Sequence, residues 1–173
     1  MTTMPKEVQD LINDKEAVKV LVTASGSGRP HAIVAGTISA PSPDTVVIGQ
    51  VLFSQTAKNL AENGKAAFLV VKGHQSYEVN VNCKGAAKGG PALEDLNRAI
   101  APMNLHANAL WSFEVCCVSE QGANSGAGKR IARGPRRGGA LTFYVRDGIT
   151  IRLKWFSYRP LSSMRFAARI RIR

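Results

Sequence analysis

The feature that most constrains the fold is a series of short runs rich in β-branched residues, separated by glycine and proline. The run at 17–24 is AVKVLVTA, and it is followed by SGSGRP, which is a turn by composition. The run at 76–84 alternates apolar and polar residues from Tyr77 to Cys83. Strict alternation is typical of strands that bury one face. The sequence therefore predicts six strands, at 17–24, 31–39, 45–49, 65–72, 76–84 and 110–119.

Three short helices are predicted between these strands. The first spans 5–15 and has one apolar face, the second runs from Ser54 to Gly64, and the third begins at Pro91. Strands do not alternate with crossover helices, which argues against a doubly wound parallel sheet. We therefore predict a mainly β (α+β) fold, in which the six strands form a closed or nearly closed antiparallel barrel with short flanking helices. Closure is favoured because it removes exposed sheet edges.

The positive charge of the chain is concentrated near its C-terminal end. Residues 129–173 hold 13 Lys and Arg against one acid, which gives +12, whereas residues 1–128 hold 10 against 11, which gives −1. The preferred base also changes from Lys to Arg at this boundary. We therefore predict two regions, a folded domain at 1–133 and a basic, Arg-rich C-terminal tail at 134–173.

The tail contains one hairpin signal. Residues 141–155, LTFYVRDGITIRLKW, flank Asp147–Gly148, a dipeptide that favours a two-residue hairpin turn. Because an isolated hairpin is marginal in water, the tail is expected to be either a hairpin or disordered. Its charge makes non-specific nucleic-acid binding an alternative function, although no specific nucleic-acid partner is expected.

Several classes of protein are excluded by what the sequence lacks. No apolar stretch approaches the roughly 18 residues that a membrane-spanning helix needs, and the first fifteen residues carry acids that a secretory signal avoids. The cysteines, Cys83, Cys116 and Cys117, are odd in number, which favours a reducing cytoplasm over a disulfide framework. One strand cannot turn both Cys116 and Cys117 to the core, so one is expected to be buried. The three histidines have no cysteine at metal-binding spacing, and no metal site is expected.

One polar segment is a candidate binding site. Gln55, Thr56, Lys58 and Asn59 follow Ser54 at the predicted start of the second helix. A helix start offers unpaired N–H groups and the positive end of the helix dipole, which together favour a phosphate. On these local features alone an ordinary capped helix is the favoured interpretation, since caps use the same residue types.

Residues 5–133, about three quarters of the chain, resemble the pyridoxamine 5′-phosphate oxidase-like FMN-binding split-barrel family. The resemblance implies an antiparallel split barrel and a homodimer that holds two FMN molecules at the subunit interface. The stretches that carry it are VKVLVTASGSGRPHAIVAGTISAPSPDTVVIGQ, FSQTAKNLAENGKAAFLVVKG, SYEVNVNCKG and LWSFEVCCVSEQGANSGAGKRIA.

The resemblance also implies which residues bind FMN. The second strand runs under the flavin, the end of the third strand hydrogen-bonds the ring, and the following turn binds the phosphate. Family members often place Lys or Arg near Gln55, a role that falls here to Lys58. An aromatic residue of the last strand often completes the pocket of the partner subunit, and Trp111 is the candidate, although a core tryptophan is the alternative. The implied cofactor-binding residues are Val34, Ala35, Gly36, Thr37, Ile48, Gly49, Gln50, Gln55, Thr56, Lys58, Asn59 and Trp111.

The reaction is less constrained than the cofactor. Only Arg29 and Arg98 are arginines within residues 1–128, and neither can be assigned to a substrate-phosphate site, so oxidation of pyridoxamine phosphate is not predicted. We predict a flavin oxidoreductase in which FMN passes hydride or electrons between a small-molecule donor and a small acceptor. A non-catalytic FMN-binding or electron-transfer protein is the alternative, and no catalytic residue is assigned.

Overall fold

The structure is a computed structural model that describes residues 2–133, 139–144, 150–155 and 167–171. The chain divides into two units, Met1–Gly134 and Pro135–Arg173. The elements of the first unit are α1 (Lys6–Asn13), β1 (Val18–Ala24), β2 (Pro30–Val34), β3 (Ile38–Ser42), β4 (Thr45–Gly49), α2 (Gln55–Asn63), β5 (Lys65–Lys72), β6 (Gln75–Ala87), α3 (Pro91–Ile100), a 3-10 turn (Ala101–Met103), β7 (Leu110–Glu120) and β8 (Arg130–Arg133).

The first unit is one antiparallel sheet that curls upon itself. Its strand order is β2-β1-β5-β6-β7-β4-β3, and β8 pairs with the far end of β7. Strands β2 and β3 lie at opposite edges of this order, yet only residues 35–37 separate them in the sequence. Val34 and Ile38 are therefore at most roughly 15 Å apart, which brings the two edges together. The predicted antiparallel split barrel with short flanking helices is confirmed, and the split lies between β2 and β3.

The predicted number of six strands is wrong, because the sheet has eight. Strand β8 was not predicted, and the single strand predicted at 31–39 is two strands. Its first half pairs with β1, where Val34 lies opposite Val20, and its second half pairs with β4, where Ile38 lies opposite Ile48. The chain must leave one edge of the sheet to reach the other, and it turns at residues 35–37 to do so. Runs of β-branched residues on both sides of this turn conceal it in the sequence.

The core fills the inside of the curled sheet and is covered on one side by α1. Phe68 of β5 and Phe113 of β7 meet edge to face, with ring centroids 5.2 Å apart. Aromatic pairs prefer this arrangement because the positive edge of one ring faces the negative face of the other. The helix contributes its predicted apolar face. The largest apolar side chains buried in the core are Phe68, Phe113, Ile12, Leu21, Ile48, Val8, Val46, Val70, Val79, Val115 and Val118.

A β-bulge changes the position of the two adjacent cysteines. Asn80 pairs with Cys117, whereas the next residue, Val81, pairs with Val115, so Cys116 is the extra residue of β7. Val118 rather than Cys117 then faces the core. Both thiols are half-buried, and the expectation that one of them is buried is wrong because it assumed an unbroken strand.

The second unit is described as three strands, β9 (Gly139–Tyr144), β10 (Thr150–Trp155) and β11 (Ala167–Arg171), in the order β11-β10-β9. Strands β9 and β10 are antiparallel, with Tyr144 opposite Thr150, as the hairpin prediction requires. The predicted turn at Asp147–Gly148 lies outside the described residues.

Candidate functional site

The structure brings five of the predicted site residues together where β4 ends. Ile48 lies opposite Trp111 on β7, and the Thr37 hydroxyl donates to the carbonyl oxygen of Gly49 at 3.1 Å. The indole N–H of Trp111 donates to Oε1 of Gln50 at 2.8 Å. We call Thr37, Ile48, Gly49, Gln50 and Trp111 the β4-end cluster.

Gln50 is the most heavily bonded member of the β4-end cluster. Its N–H donates to Ala109 O at 2.8 Å, and its carbonyl accepts from Asn108 N at 2.9 Å. Its side-chain oxygen accepts from Trp111, and its Nε2 donates to Phe53 O at 3.3 Å. Gln50 therefore fixes the Trp111 ring and the loop that leads towards α2, and its N–H and C=O already have protein partners.

Gly49 is small for a reason that the sequence did not reveal. A Cβ at this position would clash with Cδ2 of Leu96 and lie 3.3 Å from Cβ of Ala107. Leu96 belongs to α3, which packs with residues 105–110 in a second, smaller apolar cluster. Asn97 holds this arrangement by bonding both the N–H and the C=O of Ala107. The missing side chain of Gly49 thus makes room for α3.

A second group of predicted residues lies on α2. Thr56 and Asn59 are 0% and 1% exposed, respectively, on the helix face that also carries the buried Leu60. Asn59 Nδ2 donates to the Thr23 hydroxyl of β1 at 3.0 Å, and Asn59 Oδ1 accepts from Gln55 Nε2 at 2.8 Å. The buried Asn59 side chain therefore connects α2 to β1 of the sheet. The sequence signal for this burial is the i, i+3 and i+4 spacing of Thr56, Asn59 and Leu60 on one helical face.

Thr56 differs from its neighbours because its hydroxyl oxygen has no hydrogen-bond partner. It is the one buried side-chain nitrogen or oxygen without a partner among the residues that the structure describes. It also lies in the first turn of α2, where Ser54 occupies the N-cap position but makes no side-chain cap bond. Lys58 is exposed on the next turn. A hydroxyl without a partner and the first-turn N–H groups are donors of the kind that a phosphate accepts from.

The turn at residues 35–37 offers accessible backbone. A Cβ at Gly36 would meet no atom within 4 Å, so the main chain here is open. Val34, which precedes the turn, is 74% exposed. The predicted second-strand residues therefore lie at the split of the barrel, with backbone that a flat ligand can approach.

The outer face of the sheet beside this turn is apolar. Val20 lies between Val34 of β2 and Leu69 of β5, and Val22 lies between Ala32 and Ala67 in the same way. This outer face is defined by Val18, Val20, Val22, Ala32, Val34, Ala67, Leu69 and Val71. Contiguous apolar surface of this kind on a soluble protein typically marks an interaction site. It follows from strand register, which sequence alone does not supply.

Two further features of the described residues bear on the type of site. Three or more potential metal ligands do not cluster anywhere in them. None of their helices combines the length and apolar character that crossing a bilayer demands.

Comparison with known proteins points to one family. The family model for pyridoxamine 5′-phosphate oxidase matches residues 4–115. None of the curated proteins compared with the sequence matches it. Among solved structures, HupZ of Group A Streptococcus is 18% identical with a TM-score of 0.61, and the match covers 72% of this chain and 99% of that one.

Two other solved structures are similar. An FMN-binding protein from Syntrophomonas wolfei subsp. wolfei is 17% identical with a TM-score of 0.62, over 66% of this chain and 84% of that one. An F420 reductase is 12% identical with a TM-score of 0.52, over 64% of this chain and 94% of that one. Because the sequence identities are this low, the structural similarity establishes a shared fold alone.

Proposed function

The chain belongs to the pyridoxamine 5′-phosphate oxidase family, and from this premise we propose that it is an FMN-binding redox protein. Bound FMN supplies hydride or electron transfer between a small donor and a small acceptor, while the chain binds and orients the ring. The observation that carries the proposal is the unpartnered Thr56 hydroxyl at the uncapped start of α2. A buried hydroxyl without a partner costs about 1–3 kcal/mol, and a phosphate oxygen at this position removes that cost.

Phosphate binding falls to three groups in this proposal. They are the first-turn N–H groups of α2, the Thr56 hydroxyl and the Lys58 ammonium. Gln55 and Asn59 contribute indirectly. The Gln55 amide donates to Asn59, and the Asn59 amide donates to Thr23. Asn59 therefore holds the helix against β1 and does not itself bind the ligand.

Ring binding falls to the turn after β2 and to the β4-end cluster. Exposed Val34 and open Gly36 allow a flat ring to lie on the backbone at residues 34–37. Trp111, held by Gln50, supplies an aromatic wall. Ile48 is fully buried and Gly49 is covered by Leu96, so these two residues support the wall from behind.

We also propose that two copies pair through the apolar outer face. Val34 on this face is 74% exposed and Val18 is 52% exposed, and pairing would remove both from water. Val34→Glu should convert a dimer into a folded monomer, because the residue is exposed within one subunit. Met103→Glu, at a 60% exposed position in the 3-10 turn and outside the residues that define this face, is the matched control. Light scattering that reports a monomer for the unaltered protein saturated with FMN would refute the pairing.

Two alternatives use the same family membership or the charged tail. In the first, the protein binds FMN without turnover or only transfers electrons. In the second, residues 134–173 bind nucleic acid non-specifically through their charge. The odd number of cysteines in the sequence, three, favours a cytoplasmic location in either case.

Titration of the purified protein with FMN tests the proposal, with F420 titrated in parallel because one similar structure is an F420 reductase. We expect one FMN per subunit, a raised melting temperature and a perturbed flavin absorption spectrum. A colourless protein that neither flavin stabilises would refute the proposal. If FMN binds, oxidation of NADH or NADPH separates an oxidoreductase from a passive flavin carrier.

A further inference from the structure

Lys19 is a buried cation that the proposed flavin site does not use. Its exposed fraction is 7%, and it lies on the core side of β1, on the same face as the fully buried Leu21. Lysine is almost never buried unless its charge is paired. Among the described residues, no ion pair includes Lys19. Its ammonium instead donates to the carbonyl oxygen of Ile38 at 3.4 Å.

This contact joins the two edges of the split barrel. Lys19 lies on β1, beside the β2 edge, whereas Ile38 begins β3 at the opposite edge. The backbone of Lys19 also holds the start of the intervening turn, because Ala35 N donates to Lys19 O at 3.1 Å. One residue therefore grips both ends of the three-residue turn that carries the chain across the split.

Apart from the contact with Ile38, little in the structure stabilises the charged form of Lys19. Burial lowers its pKa, and the partly exposed carboxylate of Asp14 opposes that shift. Asp14 itself is bonded to Lys72 at 2.7 Å. An apolar residue like Leu21 would fill this position without the cost of desolvating a charge. The contact across the split is what the ammonium adds.

We propose that Lys19 is a positioning residue that closes the split of the barrel and fixes the backbone of Ala35, Gly36 and Thr37. This inference rests on the proposed function for its consequence, since that backbone is where the flavin ring is proposed to lie. The far end of the turn is already fixed by the Thr37 hydroxyl on Gly49 O. Loss of the Lys19 ammonium removes only its bond to Ile38 O and leaves the Ala35 N–Lys19 O bond in place, so the far end of the turn should then be held by Thr37 alone and should loosen more than the start.

The test is Lys19→Met, which keeps the length of the side chain and removes its donor. Amide hydrogen exchange at residues 35–38 should become about tenfold faster relative to the rest of β1, as expected when one hydrogen bond from a charged donor is lost. At saturating FMN, the visible circular dichroism of the bound flavin should also change, which a uniform loss of stability would not produce. Lys19→Arg, which retains a donor, should restore part of both signals.

Lys72→Met is the matched control, because Lys72 shares Asp14 with Lys19 and makes no bond to Ile38. It should leave both signals unchanged. Unchanged exchange at 35–38 in Lys19→Met would overturn the proposal, whether or not the protein binds FMN. If only the flavin signal is missing because no FMN binds, the proposed function fails while the role in closing the barrel stands.

If Lys19→Met does not fold, the unaltered protein decides the question by NMR. A buried, hydrogen-bonded ammonium exchanges its protons slowly, so the Lys19 NH₃⁺ group should show a nuclear Overhauser effect to backbone amides of residues 36–38. A spectrum in which the Lys19 ammonium shows contacts only to Asp14 would overturn the proposal.

Discussion

At the end of β4 and at the start of α2 the chain presents similar polar residues, but their hydrogen bonds are distributed differently. Gln50 has partners for its N–H, its C=O and both atoms of its side-chain amide. Thr56 is more deeply buried than Gln50, and its hydroxyl has no hydrogen-bond partner. In the proposed function, unused hydrogen-bonding capacity rather than residue type distinguishes the place that receives the ligand from the place that holds its surroundings rigid.

Among changes at the end of β4, Gly49→Ala should have the largest effect on stability. The new methyl group would clash with Leu96 and crowd Ala107, and overpacking of this kind costs about 1–3 kcal/mol of unfolding free energy. Urea denaturation measures the loss, and adding Leu96→Ala should recover part of it. Gly36→Ala is the control, because a methyl group there meets no atom within 4 Å. Equal stability of the two single variants would show that α3 does not rest on Gly49.

Gln50→Met should have the next largest effect. It leaves the Trp111 indole N–H and the Phe53 carbonyl without their partner, which we expect to cost about 1–2 kcal/mol. Trp111 fluorescence should also shift, because the ring loses its fixed environment. Gln121→Met, at an exposed amide that bonds Glu78, should change stability by less than about 0.5 kcal/mol. A Gln50→Met variant as stable as this control would contradict the claim that Gln50 holds the end of β4 rigid.

The strands and helices were predictable from the sequence because each is encoded locally. Alternation at 76–84 and the glycine stop at Gly64, where φ is +65°, needed only neighbouring residues. The fold class followed from these elements together with the family resemblance. The turn at 35–37 was missed because its one local signal, Gly36, stands between β-branched runs that indicate a continuous strand.

The roles within the candidate site were less predictable because they depend on distant partners. Asn59 was predicted to bind phosphate from its place in the turn, and the bond of its amide to Thr23, 36 positions away, could not be predicted. The family resemblance placed Gly49 at the strand edge that hydrogen-bonds the ring, and only the structure reveals that Leu96 of α3 occupies the space beside it. Register and tertiary packing determine these contacts, and sequence periodicity encodes neither.

Removal of residues 134–173 should have the smallest effect, both on the end of β4 and on the start of α2. A chain that ends at Arg133 keeps β8, which pairs with β7. Its melting temperature should stay within about 4 °C of the full chain, because the removed residues carry a large excess of like charge that opposes compact packing. FMN occupancy should not change, whereas any salt-sensitive binding of DNA should disappear. Insolubility or loss of flavin would mean that the tail belongs to the folded domain.

The most direct test of the account compares Thr56→Val with Thr23→Val in two measurements, the unfolding free energy without ligand and the Kd for FMN. Valine keeps the shape of threonine, so Thr56→Val should stabilise the ligand-free protein by about 1 kcal/mol, because it removes an unpartnered buried hydroxyl, and should weaken FMN binding about tenfold. Thr23→Val should destabilise the ligand-free protein instead, because it deprives Asn59 of its partner. If Thr56→Val lowers stability, or leaves the Kd for FMN unchanged, the claim that this hydroxyl is reserved for a phosphate is contradicted.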